Sequence, residues 1–484
     1  MKLQELLRGV PVLEATVDMD LQINHVVYDT RKEIKPGDLF VAISGFSFDG
    51  NTYIPTALEK GAAVIVTAKK PEGNVPYVLV ESDRFALAML GTNYFGRPAE
   101  AMTMIGVTGT NGKTSVTLLL KQVIEKTLGA KVGLIGTTEN RIGTEVVPTE
   151  RTTPESFELQ ALYARMRDAG CQYCVMEVSS HAIALHRVGG IHFDVAAFTN
   201  LTEDHLDFHK TMEHYCDTKA QLFTRCDKAV LNQDDEWFSR ISAQASCNVL
   251  TVSAKKPAGL QAENLQLHAD GVSFIAKHGS CAVPVSLPIP GTFTVYNALT
   301  VLAIAMQLGI KLEDAAEAIK TVEGVKGRVE VVPTPGKPYT VLIDYAHTPD
   351  GLENVLSSVK AYCKGRLIAV FGCGGDRDPI KRPIMGGIGV RIADHAIITS
   401  DNPRSEDPMK IIDDILAGVD SSMGSYEVIE NRKSAIRHAM DMAQKDDIIV
   451  LAGKGHETYQ EIRGVKHHLD EREEVAAYLT ETRR

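Results

Sequence analysis

Residues 108–114, which read TGTNGKT, have the composition of a loop that binds phosphate. An apolar run at 101–107 predicts a buried strand before the loop, and helical spacing of apolar residues predicts a helix after it. A glycine-rich turn between a strand and a helix presents backbone N–H groups to a phosphate. Lys113 would reach the terminal phosphates, and the Thr114 hydroxyl would coordinate Mg²⁺. Because Val107 stands at the first glycine of the common pattern, the stretch indicates a nucleoside-triphosphate site of a distinct subtype.

Charged side chains at the ends of two later strands are candidate metal ligands. Glu177 lies at the end of an apolar strand, and a carboxylate at the carboxyl end of a parallel strand faces the crevice where ligands bind. His205, Asp207 and His209 follow another strand at alternate positions, and histidine with carboxylate suits a divalent ion. Lys219, on the next helix, is by itself typical of a solvated surface residue.

Predicted strands in the last third of the chain lead into polar turns that contain glycine or proline. These turns are residues 344–349, 372–378, 401–408 and 452–457. Because parallel strands end at one edge of their sheet, we expect the turns to meet there. The second turn lacks the spacing Gly-x-Gly-x-x-Gly, and no helix follows it at once, so the sequence does not predict an NAD site.

The elements that must position these residues fall into several domains. A chain of 484 residues is too long for one core and indicates about three domains. Strand-like β-branched runs predict a small α/β domain at 1–98. Alternating strands and helices predict a central parallel sheet at 99–328, with an antiparallel flap that turns at Asp270, and a further α/β domain at 329–484. The predicted fold class is therefore α/β.

Overall charge and hydropathy exclude several classes of protein. Hydrophobic residues make up 44% of the chain and charged residues 23%, as in ordinary globular proteins. A formal net charge of −11 argues against a nucleic-acid backbone as the main partner. The N-terminus lacks a signal-peptide core, and no apolar run approaches the ~20 residues that span a bilayer. We expect a cytoplasmic protein that acts on small molecules and is not inserted in a membrane.

The combination of motifs resembles the Mur ligases, the ATP-dependent amide-forming enzymes of peptidoglycan precursor synthesis. The motifs that carry the resemblance are TGTNGKT at 108–114, EVSSH at 177–181, TNLTEDHLDFH at 199–209, DYAHTP at 344–349 and GCGGDRD at 372–378. The resemblance covers essentially the whole chain. It implies a substrate-nucleotide domain, a central ATPase domain with a phosphate loop, and a Rossmann-like C-terminal domain that binds the incoming amino acid. We expect a monomer.

The same resemblance implies which residues hold ATP and its metal ions. Catalytic roles would fall on Lys113, Glu177, His205 and Lys219. Mg²⁺ would be held by Thr114, Glu177, His205 and Lys219, the last as a carbamate, since addition of carbon dioxide turns the ammonium into an anion with two oxygen donors. The residues expected around ATP are Gly109, Thr110, Asn111, Gly112, Lys113, Thr114, Asn297, Arg328, Asp344 and His347.

The sequence DNPR at 401–404 resembles the signature of family members that add meso-diaminopimelate, and lysine-adding members differ there. Diaminopimelate carries a second carboxylate that lysine lacks, and arginine offers that carboxylate a planar, bidentate partner. A site built around an arginine rejects the analogue without the carboxylate, because the guanidinium is left desolvated and unpaired. By resemblance, the pocket would contain Arg377, Asp401, Asn402, Arg404, Gly453 and Glu457.

The acceptor substrate implied by the resemblance is UDP-N-acetylmuramoyl-L-alanyl-D-glutamate. ATP would phosphorylate its free γ-carboxylate, and the amine of diaminopimelate would displace phosphate from the resulting acyl phosphate. The residues expected to hold this substrate are Thr30, Ser44, Thr152, Thr153, Ser179 and Arg187. The sequence departs from the family pattern at Phe46, where some members carry histidine, and at Thr294, where many carry asparagine.

Other functions stay open on the sequence alone. A lysine-adding ligase of the same family would share nearly all of these residues. Folylpolyglutamate synthetase shares the ATPase design but does not need DNPR at 401–404. A phosphate-loop kinase or GTPase without ligation, or a pure binding protein, would leave Glu177, His205 and Lys219 unexplained.

Overall fold

The computed structural model describes residues 1–45, 49–149, 151–268, 271–420 and 422–482. Phe46 and the predicted turn residue Asp270 lie outside these ranges. The architecture is mixed α/β with three domains, each built around its own sheet, which confirms the predicted fold class. The domain boundaries after residues 98 and 328 stay predictions. Within the described ranges, no helix is both long and apolar enough to cross a membrane.

The N-terminal domain is a small sheet with the strand order β1-β5-β4-β3-β2. Its strands are β1 (Val12–Ala15), β2 (Val26–Val27), β3 (Asp38–Ala42), β4 (Ala62–Thr67) and β5 (Tyr77–Val80), and its helices are α1 (Leu3–Leu6), α2 (Ile54–Glu59) and α3 (Asp83–Tyr94). All neighbouring strands are parallel except β1, which runs antiparallel to β5. The sequence analysis missed β1 because most of its side chains are exposed and it therefore lacks an apolar run.

The central domain has the strand order β16-β15-β14-β13-β12-β11-β6-β10-β7-β8-β9. The strands are β6 (Thr103–Thr108), β7 (Val132–Ile135), β8 (Asn140–Ile142), β9 (Glu145–Val147), β10 (Tyr173–Glu177), β11 (Phe193–Phe198), β12 (Cys226–Asn232), β13 (Asn248–Ser253), β14 (Leu260–His268), β15 (Gly271–His278) and β16 (Cys281–Leu287). The helices are α4 (Lys113–Leu128), α5 (Ser156–Asp168), α6 (Ser180–Ala184), α7 (Leu206–His209), α8 (Met212–Ala220), α9 (Phe238–Gln244), α10 (Thr292–Gln307) and α11 (Leu312–Ile319).

The predicted parallel sheet forms the middle of this domain, and antiparallel strands, which include the predicted flap, extend it at both edges. Strands β7, β10, β6, β11, β12 and β13 run parallel. Antiparallel pairs extend the sheet on both sides, β8 with β9 at one edge and β14, β15 and β16 at the other. The predicted antiparallel flap therefore exists, but it continues the main sheet, because β14 pairs in parallel with β13.

Strand register brings the functional ends of the central strands together. Glu177 at the end of β10 pairs with Val107 on β6, and Phe198 at the end of β11 pairs with Thr108. Strand β6 lies between these two strands and is almost fully buried. Apolar side chains of α4, α10 and α11 pack with it in one hydrophobic core. The polar residues after β6, β10 and β11 thus emerge at one edge of the sheet.

The C-terminal domain has the strand order β17-β18-β22-β19-β20-β21 and a separate hairpin of β23 and β24. Its strands are β17 (Glu330–Val332), β18 (Thr340–Asp344), β19 (Leu367–Phe371), β20 (His395–Ile398), β21 (Tyr426–Val428), β22 (Ile448–Ala452), β23 (Tyr459–Ile462) and β24 (Val465–His468). Its helices are α12 (Pro349–Lys360), α13 (Lys381–Ile392), α14 (Pro408–Leu416), α15 (Arg432–Met442) and α16 (Glu471–Glu481). Strands β18, β22, β19 and β20 are parallel, so their polar turns meet at one edge, as predicted.

The packing around β6 leaves no room for a side chain at Gly106. A Cβ at this glycine would lie 2.9 Å from the ring of Phe193 and 3.2 Å from Val178. We therefore expect Gly106→Ala to lower the free energy of unfolding of the central domain by about 1–3 kcal/mol, the usual cost of overpacking. Urea unfolding followed through Trp237, the one tryptophan of the chain, reports on this domain.

Gly324→Ala is the matched control, because a Cβ there would meet nothing closer than a side-chain carbon of Ile289 at 4.0 Å. Its unfolding free energy should stay within about 0.5 kcal/mol of the unmodified protein. Equal urea midpoints for both variants would contradict the close packing around Gly106.

Candidate active site

The phosphate loop needs glycine at two positions because neighbouring side chains approach its backbone closely and because its backbone adopts positive φ values. Gly112 precedes helix α4 with a φ of +84°, in the left-handed region. A Cβ at Gly112 would lie 2.6 Å from Oδ1 of Asn297, and a Cβ at Gly109 would lie 1.9 Å from Oγ1 of Thr199. Asn297, predicted at the nucleotide from a distant part of the sequence, therefore lies directly against this loop.

Two lysines converge on one carbonyl group of the loop. The carbonyl oxygen of Gly109 accepts hydrogen bonds from Nζ of Lys113 at 2.9 Å and from Nζ of Lys219 at 2.9 Å. Lys113 also donates to the carbonyl of Thr110 at 2.7 Å. Lys219 is only 1% exposed, so its pattern-based assignment to the solvated surface is wrong. Burial lowers the pKa of Lys219 well below its usual value, and the charge of Lys113 lowers it further, so the neutral amine is favoured.

Glu177 supplies a buried carboxylate beside the loop. Its Oε1 accepts a hydrogen bond from the backbone N–H of Thr137 at 2.8 Å, and its Oε2 accepts one from the Thr137 hydroxyl at 3.0 Å. The carboxylate is close enough to Lys113 to oppose the lowering of its pKa by burial. Thr114, the second residue of α4, is buried as well. Hydroxyl and carboxylate oxygens are the donors that Mg²⁺ prefers.

The grouping of His205, Asp207 and His209 as one set of metal ligands is wrong. His205 directly precedes the short helix α7, and Asp207 and His209 lie on it two positions apart, where side chains do not share one face. His205 and Asp207 are exposed, whereas His209 is buried, with Nε2 at 2.9 Å from the Ser180 hydroxyl. Burial lowers the pKa of His209 to about 4. In the described part of the chain, no three His, Cys, Asp or Glu side chains are grouped to hold a metal.

His205 itself lies close to a second imidazole, that of His181 on helix α6, which follows the strand that carries Glu177. Its ring centroid is 4.8 Å from that of His181, and its backbone adopts the left-handed region with a φ of +55°. The neighbouring side chains desolvate part of this exposed ring and thereby lower the pKa of His205, and Asp204 opposes this effect. A neutral imidazole is the form that accepts a proton or binds a metal.

The predicted nucleotide residues of the C-terminal part lie at the junction with the central domain. The guanidinium of Arg328 lies 4.8 Å above the ring of Tyr345, and a small cavity is lined by Arg328 and Asn297 together. Asp344 accepts backbone N–H groups of Val329 and Ala346 at 2.8 Å, one with each carboxylate oxygen, so it joins its own turn to the segment before β17. Nδ1 of His347 lies 2.8 Å from the carbonyl oxygen of Tyr345.

Asp350 is a contact that the sequence analysis missed. Its Oδ2 accepts hydrogen bonds from Nδ2 of Asn111, in the phosphate loop, at 2.6 Å and from the Thr202 hydroxyl at 2.8 Å. Asp350 belongs to α12 of the C-terminal domain, so this carboxylate joins that domain to the loop. The sequence signal that could have indicated Asp350 is its position directly after the motif at 344–349.

The residues predicted for the acceptor substrate divide between two domains. Thr152, Thr153, Ser179 and Arg187 surround the end of β10: the Thr153 hydroxyl donates to the Glu177 carbonyl at 2.9 Å, and Nη1 of Arg187 donates to the Thr153 carbonyl at 3.2 Å. The Thr152 hydroxyl accepts from that of Thr137, and the Ser179 hydroxyl caps helix α6.

Thr30 and Ser44 lie on the N-terminal domain. The Thr30 carbonyl accepts from Nζ of Lys60, and the Ser44 backbone N–H donates to Asp83 at 2.9 Å. Arg84 links this domain to the central one, because its guanidinium lies 3.5 Å from the Ser44 carbonyl oxygen and 3.7 Å from the Glu155 carboxylate.

The loops predicted to hold an amino acid come together at the edge of the C-terminal sheet. Arg404 has a φ of +50°, and its Nη1 donates to the Gly375 carbonyl at 2.8 Å. Arg377, on the same turn as Gly375, is exposed. A Cβ at Gly453 would lie 2.6 Å from Oδ2 of Asp401, so these two loops are in direct contact.

Buried cations behind these loops were not predicted. The side chain of Arg432 is fully buried, donates to Glu471 at 2.8 Å and lies 3.8 Å from Oδ2 of Asp401. Burial alone would raise the pKa of Asp401, but Lys454 and Arg432 hold it below its usual value. Lys454 stands within the 452–457 turn, and its position between two glycines was the signal that the sequence offered.

A cavity of about 510 Å³ lies between the residues predicted for the acceptor substrate and those predicted for the amino acid. Its lining comes from both domains and consists of Thr137, Thr149, Arg151, Thr152, Tyr345, His456, Glu457, Thr458 and Tyr459. Thr152 was predicted to hold the acceptor substrate and Glu457 the amino acid. A polar cavity between a phosphate loop and a second set of ligand-binding turns suits a reaction that brings two molecules together.

Family models match most of the chain. They are the Mur ligase family catalytic domain at residues 22–87, the Mur ligase middle domain at 107–305 and the Mur ligase glutamate ligase domain at 327–455. The chain belongs to the Mur ligase family. The structure explains each match, since these segments hold the N-terminal sheet, the phosphate loop with β10 and β11, and the parallel sheet of the C-terminal domain.

Similar proteins within the family span the whole chain. The UDP-N-acetylmuramoyl-L-alanyl-D-glutamate–2,6-diaminopimelate ligase of Caldanaerobacter subterraneus is 48% identical over 100% of both chains. The ligase of the same name from Clostridium botulinum is 46% identical over 95% of this chain and 96% of its own. A solved structure of a ligase with this name is 31% identical, with a TM-score of 0.74 over 100% of this chain and 99% of the other.

The geometry at Gly112 leads to a prediction for nucleotide binding. In Gly112→Ala the added methyl group would displace Asn297 from the phosphate loop. We expect the Kd for ADP with Mg²⁺, measured by calorimetry, to rise at least about tenfold, which corresponds to the lower range of overpacking costs.

Gly129→Ala separates this clash from backbone strain. Gly129 ends the same helix in the left-handed region, with a φ of +62°, but a Cβ there would meet no atom within 4 Å. Both variants carry a strain of about 1 kcal/mol, and only Gly112→Ala should weaken ADP binding. An equal rise in the Kd for ADP in both variants would show that ADP binding depends on the stability of helix α4 and not on the position of Asn297.

Proposed function

We propose that this protein uses ATP to join meso-diaminopimelate to the D-glutamate of UDP-N-acetylmuramoyl-L-alanyl-D-glutamate, a cytoplasmic step of peptidoglycan precursor synthesis. One observation carries the proposal: Thr152 and Glu457, assigned by resemblance to the two molecules to be joined, line a single cavity between the central and C-terminal domains. Relatives that carry the name of this reaction are 41–48% identical over nearly the full chain.

The proposed ATP site lies at the phosphate loop and the domain junction. It consists of Gly109, Thr110, Asn111, Gly112, Lys113, Thr114, Asn297, Arg328, Asp344 and His347. The contact of Asn297 with Gly112, and the cavity that Asn297 shares with Arg328, support this grouping. Backbone N–H groups at the start of α4 would bind the phosphates, and Lys113 would leave the loop carbonyls to neutralise them.

The side chains near the loop fit Mg²⁺ and a carbamate. Thr114 and Glu177 offer oxygen donors, and Mg²⁺ is usually held by one or two carboxylates together with substrate phosphates, so a larger cluster is not required. Lys219 fits carbamylation because burial favours its neutral amine, which is the form that reacts with carbon dioxide. His205 would complete the ligands. Bound Mg²⁺ would supply charge neutralisation for the transferred phosphoryl group.

The reaction would proceed in two steps. The γ-carboxylate oxygen of the acceptor attacks the γ-phosphorus of ATP, and ADP leaves, which gives an acyl phosphate. The neutral amine of diaminopimelate then attacks the acyl carbon, the amine loses a proton, and phosphate leaves as the amide forms. The protein mostly positions the reactants and stabilises charge, as in other phosphoryl transfers. Thr152, Thr153, Ser179 and Arg187 would hold the acceptor near Glu177, with Thr30 and Ser44 at its uridine end.

The proposed amino-acid pocket distinguishes diaminopimelate from lysine. Arg404, with Arg377 near it, would bind the additional carboxylate of diaminopimelate, and Asp401, Asn402, Gly453 and Glu457 would hold its ammonium end. The turn that carries Arg404 is tied to β23 by a backbone hydrogen bond of 3.0 Å from its N–H to Glu461. A fixed guanidinium costs free energy when lysine leaves it without a carboxylate.

A substrate comparison tests the proposed function. We expect ADP release with the UDP-muramoyl dipeptide and meso-diaminopimelate, and at least about 100-fold lower kcat/KM with L-lysine, because lysine lacks the second carboxylate that the guanidinium of Arg404 would bind. Folate with glutamate, run in parallel, should give no ADP. The coupled assay must also detect the amide product, since a kinase or GTPase releases ADP or GDP without it.

Turnover with lysine as good as with diaminopimelate would overturn the proposed specificity for diaminopimelate, but not the proposed ligase activity. Turnover with folate and glutamate would overturn the acceptor. ADP release without any amide product would overturn ligation itself.

Lys219 gives a separate prediction about the carbamate. Lys219→Ala should lower kcat by at least about 100-fold, in the upper range for the loss of a group that positions a metal. Acetate should restore part of the activity, because a small carboxylate can occupy the place of the carbamate. With ¹³C-labelled bicarbonate, NMR should show a carbamate carbon in the unmodified protein and not in the variant.

Lys121→Ala is the control for the loss of a buried lysine. Lys121 lies on α4, is 5% exposed and pairs with Glu125. It should retain both turnover and the carbamate signal. An active Lys219→Ala variant, or a carbamate signal that persists in it, would contradict the role of Lys219.

A further inference from the structure

The turn at 453–457 packs closely against neighbouring segments, and its one lysine, Lys454, is buried. Gly453 and Gly455 both adopt positive φ values, +118° and +54°. A Cβ at Gly453 would lie 2.6 Å from Oδ2 of Asp401, and a Cβ at Gly455 would lie 2.6 Å from Cβ of Tyr345. Because the turn is held closely on both sides, Lys454 between the glycines points into the domain and is 0% exposed.

The side chains of Lys454, Asn402 and Glu457 are all hydrogen-bonded to one another, and the last two are predicted pocket residues. Nζ of Lys454 donates to Oδ1 of Asn402 at 3.0 Å and to Oε2 of Glu457 at 3.2 Å. Nδ2 of Asn402 donates to the same Oε2 at 2.8 Å. Oδ1 of Asn402 also accepts the backbone N–H of Glu461 at 2.9 Å. The side-chain oxygen of Asn402 thus accepts two hydrogen bonds from the protein, and its amide nitrogen helps to fix one oxygen of Glu457.

Because Lys454 is buried, its ammonium group depends on the hydrogen bonds to Asn402 and Glu457. A buried ammonium is costly unless it is paired and hydrogen-bonded. Here its ionic partner is Glu457, a carboxylate that lines the cavity between the domains, while Lys454 itself does not line it. The lysine therefore lies behind the pocket wall, where it can orient the carboxylate without touching a ligand.

We propose that Lys454 is a positioning residue for the amino-acid pocket: by holding Oε2 of Glu457 and the Asn402 amide, it presents the remaining oxygen of Glu457 to the ammonium of the incoming amino acid. The proposal rests on the proposed function, since it assigns the cavity next to Glu457 to the amino acid. Its consequence is selective, because the side-chain partners of the Lys454 ammonium are Asn402 and Glu457, and neither belongs to the proposed ATP site.

Two lysines next to one tyrosine provide a matched pair of variants. Nζ of Lys454 lies 5.7 Å from the ring centre of Tyr459, and Nζ of Lys466, on the exposed strand β24, lies 4.2 Å from it. Lys454→Met should raise the KM for meso-diaminopimelate at least about tenfold, since the partly buried Glu457 carboxylate loses its charged partner, and should leave the KM for ATP within about twofold. Lys466→Met removes the same charge and should change neither constant by more than about twofold.

Two further measurements separate positioning from loss of structure. Lys454→Gln keeps a hydrogen-bond donor without the charge, and it should raise the KM for diaminopimelate as Lys454→Met does. In a double-mutant cycle, Lys454→Met should add little to the effect of Glu457→Gln, because the lysine acts through that carboxylate. Thermal unfolding of each variant shows whether it is folded, and Lys454→Gln carries the test where the methionine variant is not.

Each outcome decides the proposal. An unchanged KM for diaminopimelate in the Lys454 variants, an equal rise in the KM for ATP, or additive effects in the cycle would overturn the role of Lys454. Failure of the unmodified protein to use diaminopimelate would instead overturn the proposed function, so the two failures are distinguishable.

Discussion

The carbonyl oxygen of Gly109 is the point on which the central site depends. It accepts hydrogen bonds from Lys113 and Lys219, two ammonium groups from helices α4 and α8. Two like charges so close are unfavourable, and burial together with the charge of Lys113 lowers the pKa of Lys219 well below its usual value. The arrangement exists only because β6 and β11 end at the same edge of the sheet, with Thr199 packed against the loop.

Polar contacts join the central and C-terminal domains close to the phosphate loop. Asp350 reaches from α12 to Asn111 in the loop, and Arg328 stacks on Tyr345, whose ring centre is 4.9 Å from that of His456. His456 borders the cavity beside Glu457. Groups that would bind ATP and groups that would bind an amino acid are thus linked by a short series of contacts. Polar interfaces of this kind permit relative motion of domains.

Sequence reasoning succeeded where a local pattern decides the structure. The phosphate loop, the parallel strands and the polar turns after them could be predicted, because glycine spacing and β-branched runs act locally. It failed at β1, whose exposed side chains show no apolar run, and at 205–209, where three alternate residues after a strand suggested grouped metal ligands but the backbone continues into the short helix α7. Lys219 was typical of a surface residue by pattern, and only the family resemblance assigned it a role.

The sequence by itself determined the family, the fold class and the residue types available for chemistry, since the motifs contain them explicitly. Only the tertiary structure decided which of these residues meet. The approach of Asn297 to Gly112, of Lys454 to Glu457 and of Asp350 to Asn111 joins residues that are distant in sequence or lie on turns with special backbone conformations. Such contacts depend on strand register and on close packing of glycine turns, and neither leaves a periodic trace in the chain.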